Sequence, residues 1–263
     1  MSVTGSWLNG YGSVMFLTQG DGGSVTGTYT STTGSSGSYW VTGFTGSAAS
    51  QSTGQPLAFS ILWRSFANGE PDPSWHWVSG FSGQMLPLDP VNNGPTLILF
   101  NDLVATVADP VMTSVPGSYI DKLAYVPYTG GQANPGQWPP PFTPPSYPDP
   151  IDGAWQCIEN PAISLFLQVE DVTSGYVAGT LTTGAGTSVV VGFTDNGAGS
   201  AGLLLQGLTL SAVLPDGQTV VALAGDLVLS AGTLTMEWVH SVGTAPDVSY
   251  MQTNIEGMNF GRA

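Results

Sequence analysis

Positive charge is the scarcest property of this chain of 263 residues, which has three Lys and Arg residues against 18 Asp and Glu. A formal net charge of −15 leaves almost nothing with which to neutralise phosphates, so we expect neither nucleic acid nor an anionic membrane as a partner. No apolar run approaches the roughly 20 residues that cross a bilayer, and the first ten residues contain no signal peptide, so the compartment stays open.

Residues that usually build catalytic or metal centres are also few. Cys157 is the single cysteine, which excludes an intramolecular disulfide, and two histidines give no recognisable triad or metal-ligand spacing. We therefore expect no catalytic residue, no metal and no cofactor, and the sequence leans against an enzyme. His76 lies between Trp75 and Trp77 and should face the opposite side of a strand, as a solvated or interface histidine.

Turn residues and alternating apolar residues are abundant instead. The chain has 36 Gly and 20 Pro, and 41% of its residues are hydrophobic, which indicates an all-β fold with many turns. In the first half, alternation predicts strands at residues 5–9, 13–18, 24–30, 39–45, 57–66, 75–81, 96–107 and 119–126. Eight antiparallel strands with short connections close most simply as an up-and-down barrel, because closure removes the exposed edges.

The pattern then begins again after a proline-rich segment. Residues 127–150 hold nine prolines and favour a semi-rigid linker, with a proline-rich recognition segment as the alternative. Beyond it, Gly153-Ala154-Trp155 parallels Gly5-Ser6-Trp7, and residues 175–182 parallel residues 24–31. We predict a barrel at 1–126, a linker at 127–151 and a second, divergent barrel at 152–263. The two barrels should pair internally, in a monomer or in a homodimer.

The first strands also carry a family resemblance. Gly5-Ser6-Trp7, Asn9, Ser13 and the run Thr26-Gly27-Thr28-Tyr29-Thr30-Ser31 resemble, in order and spacing, the N-terminal part of the avidin and streptavidin family. The resemblance implies two tandem eight-stranded barrels of avidin type, the first of which binds biotin or a biotin-like small molecule at one end.

The resemblance also implies a set of ligand-binding residues. In chain order they are Asn9, Ser13, Tyr29, Ser31, Gly34, Trp63, Trp77, Phe100 and Tyr119. The first three would donate hydrogen bonds to the ureido carbonyl, and the two tryptophans would form apolar walls. Ser31 and Gly34 match the start of the loop that closes over the ligand.

Two positions of this set depart from the family. Tyr119 aligns with the family's carboxylate on the last strand, and Asp121 could serve in its place only if the strand register slips. Phe100 falls near the family's tryptophan on the seventh strand. Binding of biotin should therefore be weak.

The second copy loses most of the set. Leu181 stands where Tyr29 stands, Cys157 falls near the Asn9 position, Ala212 near Trp63 and Leu223 near Trp77. We expect the second domain to be structural. Two other functions stay open for the chain: a purely structural or interaction protein with both barrels filled, and a barrel enzyme that folds or cyclises an apolar substrate by shape and aromatic contact.

Overall fold

The computed structural model describes residues 2–32, 36–50, 52–66, 76–89, 94–109, 113–130 and 142–263. In these residues, eight antiparallel strands close into a first barrel in chain order, β1 to β8, with β1 paired to β8. The strands are β1 Gly5–Asn9, β2 Val14–Gln19, β3 Ser24–Ser31, β4 Gly37–Thr45, β5 Gln55–Leu62, β6 Trp77–Asp89, β7 Gly94–Ala105 and β8 Gly117–Pro127. The predicted all-β barrel is confirmed.

A second closed barrel of eight strands follows, with β16 paired to β9, within the continuously described residues 142–263. Its strands are β9 Gly153–Cys157, β10 Ser164–Asp171, β11 Tyr176–Thr183, β12 Gly186–Thr194, β13 Leu205–Val213, β14 Val220–Val228, β15 Thr233–Ser241 and β16 Thr253–Arg262. The tandem arrangement predicted from the repeat is therefore present.

Each barrel is filled by the alternate side chains that point inward. The first barrel's core contains Trp7, Leu17, Tyr39, Phe59 and Leu97, and a corresponding cluster around Trp155 fills the second. The indole nitrogens of Trp7 and Trp155 each donate to a carbonyl four residues earlier, which satisfies the one polar group that these buried rings carry.

The outward faces of β4 to β7 pack against those of β12 to β15. An apolar cluster between the barrels includes Leu62, Val78, Val104 and Phe193. Hydroxyl groups add bonds across the interface, such as the pair Ser60 and Ser211 with 2.8 Å between their oxygens. The barrels therefore meet through a mixed apolar and hydroxyl surface.

The segment between the barrels has no strand after Pro127 in its described residues, 128–130 and 142–152. Prolines 139–141 of the predicted linker lie outside the described residues. Phe142 stacks on Tyr176 with ring centroids 5.2 Å apart, so the end of the segment packs on the second barrel. Among the described residues, no helix is long and apolar enough to cross a membrane.

Candidate ligand-binding site

Asn9 lies at the centre of a buried hydrogen-bonded group at one end of the first barrel. Its Oδ1 accepts bonds from the backbone N–H of Tyr11, at 3.1 Å, and of Ser13, at 2.9 Å. Its Nδ2 donates to the hydroxyl of Tyr29, two strands away on β3, at 3.3 Å. Asn9, Ser13 and Tyr29 are each at most 5% exposed, so the structure brings together the three residues predicted to donate to a ligand carbonyl.

Ser31 lies at the same end, because it is the last residue of β3, and it is buried. Next along the chain, the backbone N–H of Thr32 is 3.5 Å from the Ser13 hydroxyl oxygen, a long contact. Gly34, predicted to begin the closing loop, lies outside the described residues.

Two tryptophans lie where β5 ends and β6 begins. The backbone N–H of Trp63 donates to the carbonyl of Trp77 at 3.0 Å, so the two residues are neighbours on adjacent strands. The Trp63 indole meets the Tyr29 ring edge-on, with centroids 5.7 Å apart, and donates to the Ser79 hydroxyl at 2.9 Å. The Trp77 indole donates to the carbonyl of Val107 at 2.9 Å. Both rings are buried, and Trp63 forms an apolar wall beside Tyr29.

The last strand places Tyr125 beside this group. Tyr125 pairs with Asn9 in the register of β1 and β8, and its side chain is fully buried. Its hydroxyl makes no hydrogen bond of good geometry to a described residue, but it lies within hydrogen-bonding reach of Tyr29 and Asn9, which both affect its pKa. Burial, and then the neighbouring Tyr29, raise the pKa of Tyr125 well above its usual value, so the phenol is neutral.

Tyr119, which the family resemblance matches to a carboxylate on the last strand, is not the β8 residue that pairs with Asn9. It lies six residues earlier on β8, and its hydroxyl donates to the carbonyl of Val115 at 2.6 Å. Asp121 pairs with Asn101 of β7, and its carboxylate accepts a bond from the Tyr11 hydroxyl at 3.2 Å and acts electrostatically on Tyr125. That carboxylate raises the pKa of Tyr11.

Phe100 also differs from its prediction, because it faces outward. The buried residues Leu97 and Leu99 show which face of β7 points into the barrel, and Phe100 lies on the other face, with the Lys122 ammonium 6.0 Å from its ring centroid. The inward neighbour is Asn101. Its side-chain oxygen is buried and has no hydrogen-bond partner among the described residues.

Tyr125 and Asn101 are thus two buried polar residues of the first barrel that the family resemblance did not single out. The alternation of β8 indicated that Tyr125 points inward, because Tyr125 shares a face with the core residue Leu123. No signal in the sequence distinguished Phe100 from Asn101, since both are adjacent to apolar residues of β7.

The second barrel replaces this polar group with apolar side chains. Matching the strand registers makes Cys157, Ile163, Leu181 and Phe260 equivalent to Asn9, Ser13, Tyr29 and Tyr125. All four are buried in the second core. The expectations for Cys157 and Leu181 are therefore confirmed.

The tryptophan equivalents in the second barrel need correction. Glycines 43 and 192 make the same close contact with the next strand, which aligns Phe59 with Leu210. Four residues further along, Leu214 is therefore the equivalent of Trp63. The N–H of Leu214 donates to the carbonyl of Thr219, as that of Trp63 donates to Trp77, so Thr219 is the equivalent of Trp77. The predicted equivalents, Ala212 and Leu223, occupy other positions. A crevice of about 460 Å³ at this end of the second barrel is lined in part by Trp238, His240 and Met251.

Sequence comparison agrees with the architecture of the first barrel. The fold defines an all-β protein made of two closed, eight-stranded, up-and-down barrels. The model of the Avidin family matches residues 1–94, which span β1 to β6. No curated protein matches the chain. The first barrel is therefore similar to the Avidin family over these strands, and the second barrel repeats its strand order, so the fold is that of two tandem avidin-like barrels.

Proposed function

We propose that the first barrel binds a small molecule with a polar carbonyl on a compact ring system, of which biotin is the best available example. The observation that carries the proposal is the Tyr125 hydroxyl, which is buried beside Asn9 and Tyr29 and makes no hydrogen bond of good geometry to a described residue. A buried polar group without a partner costs about 1–3 kcal/mol, so a ligand that supplies the partner regains that free energy.

The hydrogen-bonding roles favour an acceptor atom on the ligand. The Tyr29 oxygen already accepts a bond from Asn9, so its own proton is available to donate. Tyr125 and Ser13 are neutral hydroxyl donors at the same end of the barrel. A carbonyl oxygen can accept from several such donors at once, whereas these donors carry no positive charge with which to compensate an anion.

The N–H groups of a ureido ring would meet a weaker acceptor here than a carboxylate. The described part of β8 places Tyr125, not an acidic residue, beside Asn9. The phenol oxygen of Tyr125 is a neutral acceptor beside Asn9, and the buried amide oxygen of Asn101 is a second neutral acceptor on the inward face of β7. Loss of a charge-assisted bond is worth about 1.5–3 kcal/mol, which weakens binding by roughly one to two orders of magnitude.

A purely structural barrel is the second candidate, and ring packing favours it. Tyr39 contacts Trp63 with centroids 4.8 Å apart, and Phe59 stacks on Phe81 at 4.7 Å. In that case the polar residues would stabilise the barrel end without any ligand.

Isothermal calorimetry of the full chain with biotin separates the two candidates. We expect saturable heat with one site per chain, and an affinity about tenfold lower for Tyr29→Phe, because this variant removes one donor. Leu181→Met, at the equivalent position of the second barrel, is the matched control and should bind like the unmodified chain. Absence of heat with biotin, or equal affinity for Tyr29→Phe, would reject this ligand class for the site.

A further inference from the structure

One carboxylate of the second barrel lies between two residues of the first. Asp195 follows β12, and its side chain is 1% exposed. Its Oδ1 is 3.2 Å from Nη2 of Arg64, and its Oδ2 is 2.6 Å from Nδ1 of His76. His76 was predicted to face away from Trp77, and its contact with Asp195 makes it an interface residue.

Arg64 is held further by the loop structure around Asp195. Its Nη1 donates to the side-chain oxygen of Asn196 at 2.9 Å and to the carbonyl of Thr173 at 3.2 Å. Burial lowers the pKa of the Arg64 guanidinium and the nearby Asp195 opposes that change. The group stays charged because the ordinary value of arginine is so high. A buried arginine with these partners has one defined position.

The two residues that Asp195 contacts are the direct chain neighbours of the site tryptophans. Arg64 follows Trp63, and His76 precedes Trp77. Successive side chains of an extended segment point to opposite faces, so Arg64 and His76 reach outward while the indoles are buried in the first barrel's core. A single carboxylate therefore holds both ends of the segment that joins β5 to β6.

We propose that Asp195 is a positioning residue for the first barrel's ligand site, through which the second barrel holds Trp63 and Trp77 in place. The inference rests on the proposed function for its effect on biotin affinity. The second barrel, which has apolar residues in place of Asn9 and Tyr29, then contributes to binding from outside the site. Preorganised walls bind more tightly because less side-chain freedom is lost on association.

Asp195→Asn tests the proposal, because it keeps the size of the side chain and removes the negative charge of the carboxylate that Arg64 and His76 both contact. His76→Gln is the milder second variant, since it removes one of the two contacts. The control is Gln84→Met, which removes two other hydrogen bonds between the barrels: Nε2 of Gln84 donates to the Thr244 hydroxyl, and the backbone N–H of Thr244 donates to Oε1 of Gln84. Gln84 lies seven residues from Trp77 on β6, about 23 Å along the strand.

Two measurements are made on each full-length variant: biotin affinity by calorimetry, and 19F spectra of protein labelled with 5-fluorotryptophan. Trp63→Phe and Trp77→Phe assign the two resonances. We expect Asp195→Asn to lower biotin affinity at least tenfold and to shift or broaden both tryptophan resonances. His76→Gln should shift or broaden mainly the resonance of Trp77. Gln84→Met should change neither quantity, even where it lowers stability.

The outcomes separate this proposal from the proposed function. If the unmodified chain gives no heat with biotin, the ligand assignment fails, and the fluorine spectra alone decide the role of Asp195. If Asp195→Asn leaves both tryptophan resonances unchanged, the positioning role is overturned. An equal loss of affinity in Gln84→Met would also overturn it, because the effect would then come from the interface in general.

Discussion

At the scale of single residues, Tyr125 best distinguishes a binding site from a barrel whose interior is filled only for packing. A side chain chosen only for packing would be Phe, which is the residue that the second barrel has at the equivalent position, Phe260. The first barrel instead buries a hydroxyl beside Tyr29 and Asn9 that makes no hydrogen bond of good geometry to a described residue. Retaining such a group costs stability, and a binding function would explain the cost.

Tyr125→Phe should therefore raise stability and lower affinity together. Removing the unpartnered hydroxyl should raise the free energy of unfolding by about 1 kcal/mol, because the phenyl ring still fills the same space. Affinity for biotin should fall about tenfold, as one donor is lost. Urea unfolding and calorimetry measure the two quantities. A destabilised variant would mean that the hydroxyl has a structural partner, and unchanged affinity would place the ligand elsewhere.

At the scale of strands, both barrels use glycine at the same three places. A Cβ added at any of these glycines would lie 1.9–2.1 Å from a backbone oxygen of the adjacent strand. They are Gly27, Gly43 and Gly83 in the first barrel and their equivalents Gly179, Gly192 and Gly225 in the second. The strands approach too closely there for a side chain, so the bend of each barrel depends on these positions.

Gly225→Ala should destabilise the protein, whereas Gly257→Ala should not. The added methyl at 225 would meet the carbonyl oxygen of Thr235 at 1.9 Å, while at 257 nothing lies within 4 Å. We expect a loss of about 1–3 kcal/mol or more for the first, as in overpacked cores, and a gain of up to about 1 kcal/mol for the second. Urea midpoints compared at constant slope measure the difference. Equal midpoints would show that the strand spacing adapts.

At the scale of the whole molecule, the barrels pair like two subunits of a symmetric dimer. The registers make Ser60 and Ser211 equivalent, and these two hydroxyls contact each other at 2.8 Å. A residue meets its own equivalent at a two-fold axis, so the interface is isologous in form. The charged contacts of Asp195 break that symmetry, because they hold only the first barrel's tryptophan segment.

Asp102 should make stability depend on pH. It is fully buried on the face of β7 that contacts the second barrel, one oxygen accepts from Ser118 at 2.9 Å, and the other has no partner among the described residues. Burial raises its pKa from 3.8 to about 7, with Glu237 adding to the effect. The folded state thus keeps the proton longer than the unfolded state. The stability that the protonated Asp102 contributes is therefore fully present below about pH 4 and is lost as pH rises to about 7.

Asp102→Asn isolates this contribution. Between pH 4 and 7 the unmodified chain should lose up to about 4 kcal/mol more unfolding free energy than the variant, the equivalent of the change from 3.8 to about 7. Urea unfolding across that range measures both chains under the same conditions, so other carboxylates cancel in the comparison. Parallel curves would show that Asp102 is ionised in the folded protein.

The sequence by itself determined the local features of this protein. Period-two alternation and turn residues predicted two all-β units, since a strand with one covered face must alternate wherever it lies. The repeat after the proline-rich segment predicted the second barrel. Asn9, Ser13 and Tyr29 were also predictable, because they lie within one short stretch in which two consecutive hairpins, β1–β2 and β2–β3, fix their mutual spacing.

Only the tertiary structure decided which residues meet across long separations. Alternation on β8 is equally satisfied when Tyr119 or Tyr125 faces inward beside Asn9, and barrel closure between β1 and β8 selected Tyr125. The contact of Asp195 with Arg64 joins residues more than 100 positions apart, where no local pattern operates. Such choices depend on how complete barrels close and pack, because the free energy of each alternative is set by neighbours that the chain supplies elsewhere.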